Sequence, residues 1–195
     1  MKHFVTFEGI DGSGKSTVSK QVYIKLKSAG YRVVLTNEPT DTPIGKRVQK
    51  CIETESDPFI TAFIFIVDRI NHGKQIQQWL DDGNIVLCDR YGDSTYAYQG
   101  AQLEGMVKNP MKWLQDLSLN RIVIPDRTFI FLIDPTKSLA RIKHREKLVP
   151  FERVSFLKKV QDNYLKLSVE KRVMKIDGTK NIEELTDICF KDIIK

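Results

Sequence analysis

Residues 7–17 read FEGIDGSGKST. Gly9 is followed by four residues and then by Gly14-Lys15-Ser16, the G-x-x-x-x-G-K-[ST] spacing of a loop that grips phosphate. Glycines let such a backbone curl until several N–H groups converge on one anion. A helix beginning at the loop adds the partial positive charge of its N-terminus. Lys15 then reaches the β- and γ-phosphates of a nucleotide, and the Ser16 hydroxyl ligates Mg²⁺. The spacing carries this meaning only between a strand and a helix. Both flanks fit, because HFVTFE (3–8) is a compact apolar run and Lys15–Ala29 is a helical pattern closed by Gly30. Gly9, Ile10, Asp11, Gly12, Ser13, Gly14, Lys15, Ser16 and Thr17 are therefore the expected ATP-binding loop.

Similar apolar runs recur at YRVVLT (31–36), NIVLCD (84–89), TFIFLID (128–134) and RVMKID (172–177). Compact runs without strict alternation suit a parallel sheet covered on both faces. Helical patterns lie between them. One spans 44–54 after Pro43, and a long one runs from Asp57 to about Leu80, with Asp57 and Pro58 as N-cap and first turn. Others cover 111–120, 136–146, 153–170 and 181–194. Alternating strands and helices predict right-handed βαβ units in an α/β three-layer sandwich with a five-stranded parallel sheet. A length of 195 residues suits one domain over 1–195.

Composition narrows the function classes. Cys51, Cys88 and Cys189 are far apart and form no C-x-x-C pair, which favours reduced thiols in a cytoplasmic protein over disulfides or zinc. The longest apolar run, FITAFIFIV (59–67), is about half of a membrane span, and no signal-like h-region follows Met1. The net charge of +6 fits polyanionic small substrates or plain solubility. No RNP-like aromatic pattern or helix-turn-helix signature points to nucleic acid. The basic residues gather in LARIKHREKL (139–148).

The third strand ends in Asp89-Arg90-Tyr91. Ligands of open α/β sheets bind at the carboxyl ends of the strands. Asp89 is thus placed to hold Mg²⁺, directly or through water, and Arg90 to fork onto a phosphate. The run DRYGDSTYAYQG (89–100) is crowded with hydroxyls, an amide and aromatic rings, a set suited to reading a base and a sugar.

Together FEGIDGSGKST, TNEPTDTPIG (36–45), FIFIVDR (63–69), DRYGDSTYAYQG and PFERVSFLKKVQDNYLKL (150–167) resemble the thymidylate kinases, in order and at similar intervals, from residue 3 to about 183. The resemblance implies a P-loop nucleoside monophosphate kinase-like fold, a homodimer, and phosphoryl transfer from ATP·Mg²⁺ to dTMP. It also implies residue roles. Arg90 binds the dTMP phosphate and Asp11 approaches the 3′-hydroxyl. Phe65 stacks on thymine, and Arg69 reaches a thymine carbonyl. Thr95 and Gln99 face the polar edge of the base, with Ser94 in the same substrate-binding set. Tyr98 sits under the 2′ carbon, and Glu38 and Pro39 line the acceptor pocket. Phe65 and Arg69 are spaced i, i+4, so on a helix they share one face. Phe59, Phe63 and Ile66 on the same apolar helix are expected in the core or at a subunit contact.

Phosphoryl transfer needs positive charge around the moving group, and one extra arginine there is worth roughly 10³–10⁵ in rate. Some thymidylate kinases carry that arginine in the P-loop just after the position of Asp11. Here Gly12 and Ser13 stand there. The basic segment after the fourth strand, a lid over about 141–152, is the expected replacement, with Arg145 closing over the phosphates and Arg141 nearer the adenine. A second departure is Asn37 before Glu38-Pro39, where the family often has arginine; any anion contact is lost or moved to Lys46 or Arg47. Two other readings share the P-loop: another nucleoside monophosphate or deoxynucleoside kinase, and a regulatory ATPase or switch. The STYAYQG run beside FIFIVDR tells against the other kinases, and a switch would hydrolyse nucleotide slowly without any monophosphate acceptor.

Overall fold

The computed structural model describes residues 1–142 and 154–195. In chain order the elements are β1 (Phe4–Gly9), α1 (Lys15–Ser28), β2 (Val33–Asn37), α2 (Pro43–Glu53), α3 (Pro58–Asp81), β3 (Ile85–Asp89), α4 (Gly92–Gln102), α5 (Pro110–Ser118), β4 (Arg127–Leu132), α6 (Pro135–Ile142), α7 (Val154–Leu167), β5 (Val173–Asp177) and α8 (Ile182–Ile194). The strands form one sheet in the order β2-β3-β1-β4-β5. Every pairing is parallel. The α/β sandwich expected from the alternating pattern is therefore present.

Period-2 geometry divides β1 between two layers. Val5 and Phe7 pack with Val18, Val22 and Leu26 of α1 and with Leu185 and Cys189 of α8. The opposite face of the sheet is covered by α3, α4 and α7 and is partly polar. There Thr6 Oγ1 meets Thr128 Oγ1 at 2.7 Å, and Glu8 bonds to α4 and α7. The central strand β1 has β3 on one side and β4 on the other. Its carboxyl end lies where the strand order reverses, the place where α/β sheets bind ligands.

Cap chemistry explains several boundaries. Asp57 accepts the Phe59 and Ile60 N–H groups at 2.8 and 3.2 Å, with Pro58 in the first turn of α3. Thr42 caps α2 through the Gly45 N–H at 3.2 Å, and Asn181 caps α8 through the Glu184 N–H at 2.8 Å. Each such cap contributes about 1 kcal/mol. After α1, Gly30 adopts φ +87°, the left-handed stop that the sequence suggested.

One helix departs from expectation. The sequence patterns placed none between 80 and 111, yet Gly92–Gln102 is α4. Each residue from Gly92 to Ala101 is buried, so α4 has no solvent-facing side and shows no amphipathic period. Its Gly, Ser, Thr and Tyr residues also have modest helix propensity. Burial on all sides decides its structure. The remaining helix ends shift by one to three residues where they are described, and the tail of the 136–146 pattern lies partly outside the described residues.

Candidate active site

The phosphate loop leaves β1 at Gly9, whose φ is +141°. A Cβ there would lie 2.7 Å from the Phe131 carbonyl oxygen, so only glycine lets the loop turn this close to β4. The loop re-enters helix at Gly14, the left-handed residue before α1. Asp11, Gly12, Gly14, Lys15, Ser16 and Thr17 line a cavity of about 440 Å³. Arg141, Lys180 and Asn181 close its other side. Ile10 and Ser13 are buried beneath the loop, so their side chains face the core.

Gly12 has a reason beyond loop flexibility. Its φ is +79°, and a Cβ would lie 2.2 Å from the Ser138 carbonyl oxygen of α6. The Ser138 hydroxyl donates to the Asp11 carbonyl oxygen at 2.6 Å. Helix α6 is thus seated directly on the loop backbone, and position 12 has no space for the arginine that some family members carry there.

A second cavity, of about 240 Å³, opens on the other side of Asp11. Phe65 and Arg69 of α3 line it together, as their spacing suggested, with Tyr98 and Gln99 of α4 opposite. Glu38, Pro39, Arg90 and Ser94 complete the wall. Asp11 belongs to both cavities. Its Oδ1 accepts from Arg90 Nη2 at 2.7 Å and lies 3.5 Å from Lys15 Nζ. The loop therefore presents one carboxylate between two cations.

Arg90 stands at φ +68° directly after β3. Its guanidinium donates to the Gly9 carbonyl oxygen at 3.0 Å and to Ser94 Oγ at 3.2 Å, and it lies over the Tyr98 ring. Burial works against the Arg90 charge, but Asp11, Tyr98, Tyr164 and Asp89 together outweigh it and raise the pKa. Lys15 behaves in the opposite way. Burial and the neighbouring Arg90 lower its pKa, while Asp11, Asp89 and Glu8 partly offset them.

Three residues of α3 tie together the segments around this second cavity, and Arg69 itself lines it. Asp68 accepts the Thr40 N–H at 2.9 Å and the Thr40 hydroxyl at 2.6 Å, which pins the loop after β2. Arg69 Nη2 pairs with Glu38 Oε2 at 2.7 Å, both side chains buried. His72 Nδ1 meets Glu38 Oε1 at 3.0 Å, and its Nε2 meets Thr36 Oγ1 at 2.9 Å. Arg69 Nη2 also donates to the Tyr91 carbonyl oxygen and to Thr95 Oγ1. Thr95 is fully buried and supports Arg69 without lining the cavity. Arg69 Nε and Nη1 are buried and have no hydrogen-bond partner among the described residues.

The metal expectation concerned Ser16 and Asp89. Ser16 lines the first cavity, and Asp89 Oδ1 is a buried acceptor with no partner among the described residues. Both fit a Mg²⁺ that shares its shell with phosphates and water. Among the described residues no group of three or more His, Cys, Asp or Glu side chains could hold a metal by itself. Arg141 donates to the Gly178 carbonyl oxygen at 2.9 Å and to that of Gly12 at 3.4 Å, which sets it at the rim of that first cavity. Arg145 lies outside the described residues. Asn37 bonds the Pro39 carbonyl oxygen at 2.8 Å, while Lys46 and Arg47 are exposed on α2.

Sequence reasoning missed Glu8, Asp68, His72 and Tyr164. Glu8 is fully buried; burial, with Asp93 adding to it, pushes its carboxyl up to about 7, against the hydrogen bond from Ser94, the charge of Arg90 and the Tyr91 N–H. An acidic residue inside a β-strand run was the available signal.

A further cavity, of about 570 Å³, lies between α4, α5 and α7, away from the loop. Two of its lysines, Lys112 and Lys159, are paired with Asp116 and Glu104.

Two cavities that meet at one P-loop, one lined by Lys15 and Ser16 and the other by Phe65, Arg69 and Gln99, are the arrangement of a P-loop nucleotide kinase. The thymidylate kinase family model matches residues 7–188. A "Probable thymidylate kinase" of Methanosarcina barkeri is 38% identical over 195 residues, covering 98% of this chain and 95% of the relative. Proteins of the same description from Methanosarcina mazei (37%; 98% and 95% covered) and Pyrobaculum aerophilum (38%; 93% and 91% covered) are similar over nearly the same length. The chain belongs to the thymidylate kinase family.

Proposed function

We propose that the chain transfers the γ-phosphoryl group of ATP to dTMP, giving dTDP and ADP, within one kinase domain over residues 1–195. The observation that carries this reading is the acceptor cavity, where Arg69 has two buried donors without a partner among the described residues, beside Phe65, Gln99 and Tyr98. In this reading Phe65 stacks on thymine, Arg69 donates to a thymine carbonyl, and Gln99 and Glu38-Pro39 shape the remaining edge. Arg90 grips the acceptor phosphate and Lys15 holds the β/γ end of the donor. Asp11, the shared wall, approaches the 3′-hydroxyl. Arg141 borders the adenine side. The Ser16 hydroxyl and the Asp89 carboxylate would hold Mg²⁺, which would supply positive charge to the donor phosphates.

Rapid ATP turnover that begins only when dTMP is added tests this reading. Slow hydrolysis unaffected by any monophosphate would mark a switch instead. Two substitutions test individual roles. Tyr98 acts by bulk beneath C2′, so its preference for the deoxy acceptor over the ribose counterpart is on the order of 10²-fold. Tyr98→Ala should collapse that ratio of specificity constants, and an unchanged ratio would remove Tyr98 from this role. The missing P-loop arginine assigns Arg145 to the transferring phosphoryl group. Arg145→Ala should then cost more than about tenfold in kcat, or about 1.4 kcal/mol of barrier; a smaller loss would move the role to Arg141 or Lys143.

The homodimer belongs to the same proposal. Ile60, Phe63 and Val67 are 58%, 46% and 47% exposed and fall on one face of α3, an apolar strip of the kind that marks a contact surface. Sedimentation at twice the chain mass is the expected result. Among the described residues no helix is long and apolar enough to cross a membrane, and a cytoplasmic setting fits the three free cysteines.

A further inference from the structure

Glu8 lines neither cavity, and its side chain is fully buried. A buried carboxylate is costly unless donors surround it. Three do. The Tyr91 N–H donates to Oε1 at 2.7 Å. The Ser94 and Tyr164 hydroxyls lie 2.6 and 3.0 Å from Oε2. These donors bear on one residue. Tyr91 N–H belongs to the residue that follows Arg90, which is held at φ +68°. Ser94 Oγ is also the acceptor for Arg90 Nη1 at 3.2 Å. Glu8 therefore secures Arg90 at its backbone, through the next peptide, and at its guanidinium, through one hydroxyl. Tyr164 anchors the same carboxylate to α7.

We infer that Glu8 is the positioning residue of the acceptor-phosphate arginine: it touches no nucleotide and acts by setting the backbone and the guanidinium direction of Arg90. The inference rests on the reading that Arg90 grips the acceptor phosphate. A residue that served only packing at this place could be apolar, because Ile10, Ala97 and Ile130 of the same layer are apolar and buried.

The experiment is a double-mutant cycle in steady-state kinetics on the full chain, with dTMP and ATP varied separately. Glu8→Gln keeps the shape and one acceptor oxygen. It should lower kcat/KM for dTMP by about tenfold or more, with the KM for ATP changed by less than about twofold. In an Arg90→Ala background the same substitution should cost almost nothing further, since residues acting through one another are non-additive. A full additional loss in that background overturns the inference, as does a Glu8→Gln enzyme with unaltered kcat/KM and only a lowered melting temperature. If Glu8→Gln does not fold, Tyr164→Phe carries the cycle. It removes one donor to Glu8, and a several-fold loss that vanishes in Arg90→Ala is expected; an additive loss, or none, overturns the inference. If Arg90→Ala itself leaves the dTMP kinetics intact, the underlying reading of Arg90 has failed, which is a different result.

Discussion

Arg90→Ala should reduce kcat/KM for dTMP by roughly 10²–10³, the cost of removing one preorganised donor from a site of developing charge. The guanidinium is held by Gly9, Ser94 and Asp11 before any substrate arrives, so its orientation is already set when the acceptor binds. Two consequences distinguish this from a general loss of fold. The KM for ATP should change little, because Lys15 and the P-loop glycines remain. Arg90→Lys should recover only part of the activity, since an ammonium cannot reproduce the two-pronged fork on a phosphate. A loss under tenfold for Arg90→Ala, or full activity in Arg90→Lys, would place the acceptor phosphate elsewhere.

Arg69→Ala should act on stability as well as on binding. Arg69 and Glu38 form an ion pair whose side chains are 1% and 2% exposed. Removing one partner leaves a buried charge uncompensated and costs about 3–5 kcal/mol. That is a large share of the roughly 5–15 kcal/mol that holds a domain together. Denaturant unfolding should show the midpoint falling with little change in slope. Adding Glu38→Gln to Arg69→Ala should recover part of the loss, because the stranded carboxylate is gone. A destabilisation below about 1 kcal/mol, or a further drop on adding Glu38→Gln, would contradict the pair as described. The dTMP affinity should fall in both variants, since Arg69 is part of the cavity wall.

Much of this architecture could be read from the sequence because local signals agreed with the global fold. The strand before the P-loop, the glycine spacing and Gly30 all pointed to one βα unit, and Asp57-Pro58 marked the start of α3. The i, i+4 spacing of Phe65 and Arg69 put both on one face of α3, and both line the same cavity. Other features depended on tertiary contact. Helix α4 is buried on every side, which erases the periodicity that reveals surface helices. The family resemblance made Thr95 a base contact, whereas its hydroxyl accepts from Arg69. Gly12 read as a residue lacking an arginine; the reason, contact with the Ser138 backbone, needs the position of α6. Glu8 sat unnoticed inside a strand because its donors come from segments more than eighty residues away.

The most direct test of the account is a coupled kinase assay with ATP·Mg²⁺ across dTMP, dUMP, UMP, AMP and GMP. A cavity walled by Phe65, Arg69, Gln99 and Tyr98 predicts the highest kcat/KM with dTMP, UMP lower by about two orders of magnitude or more through Tyr98, and negligible turnover of the purine nucleotides. Comparable turnover of AMP or GMP, or ATP hydrolysis independent of any acceptor, would contradict it.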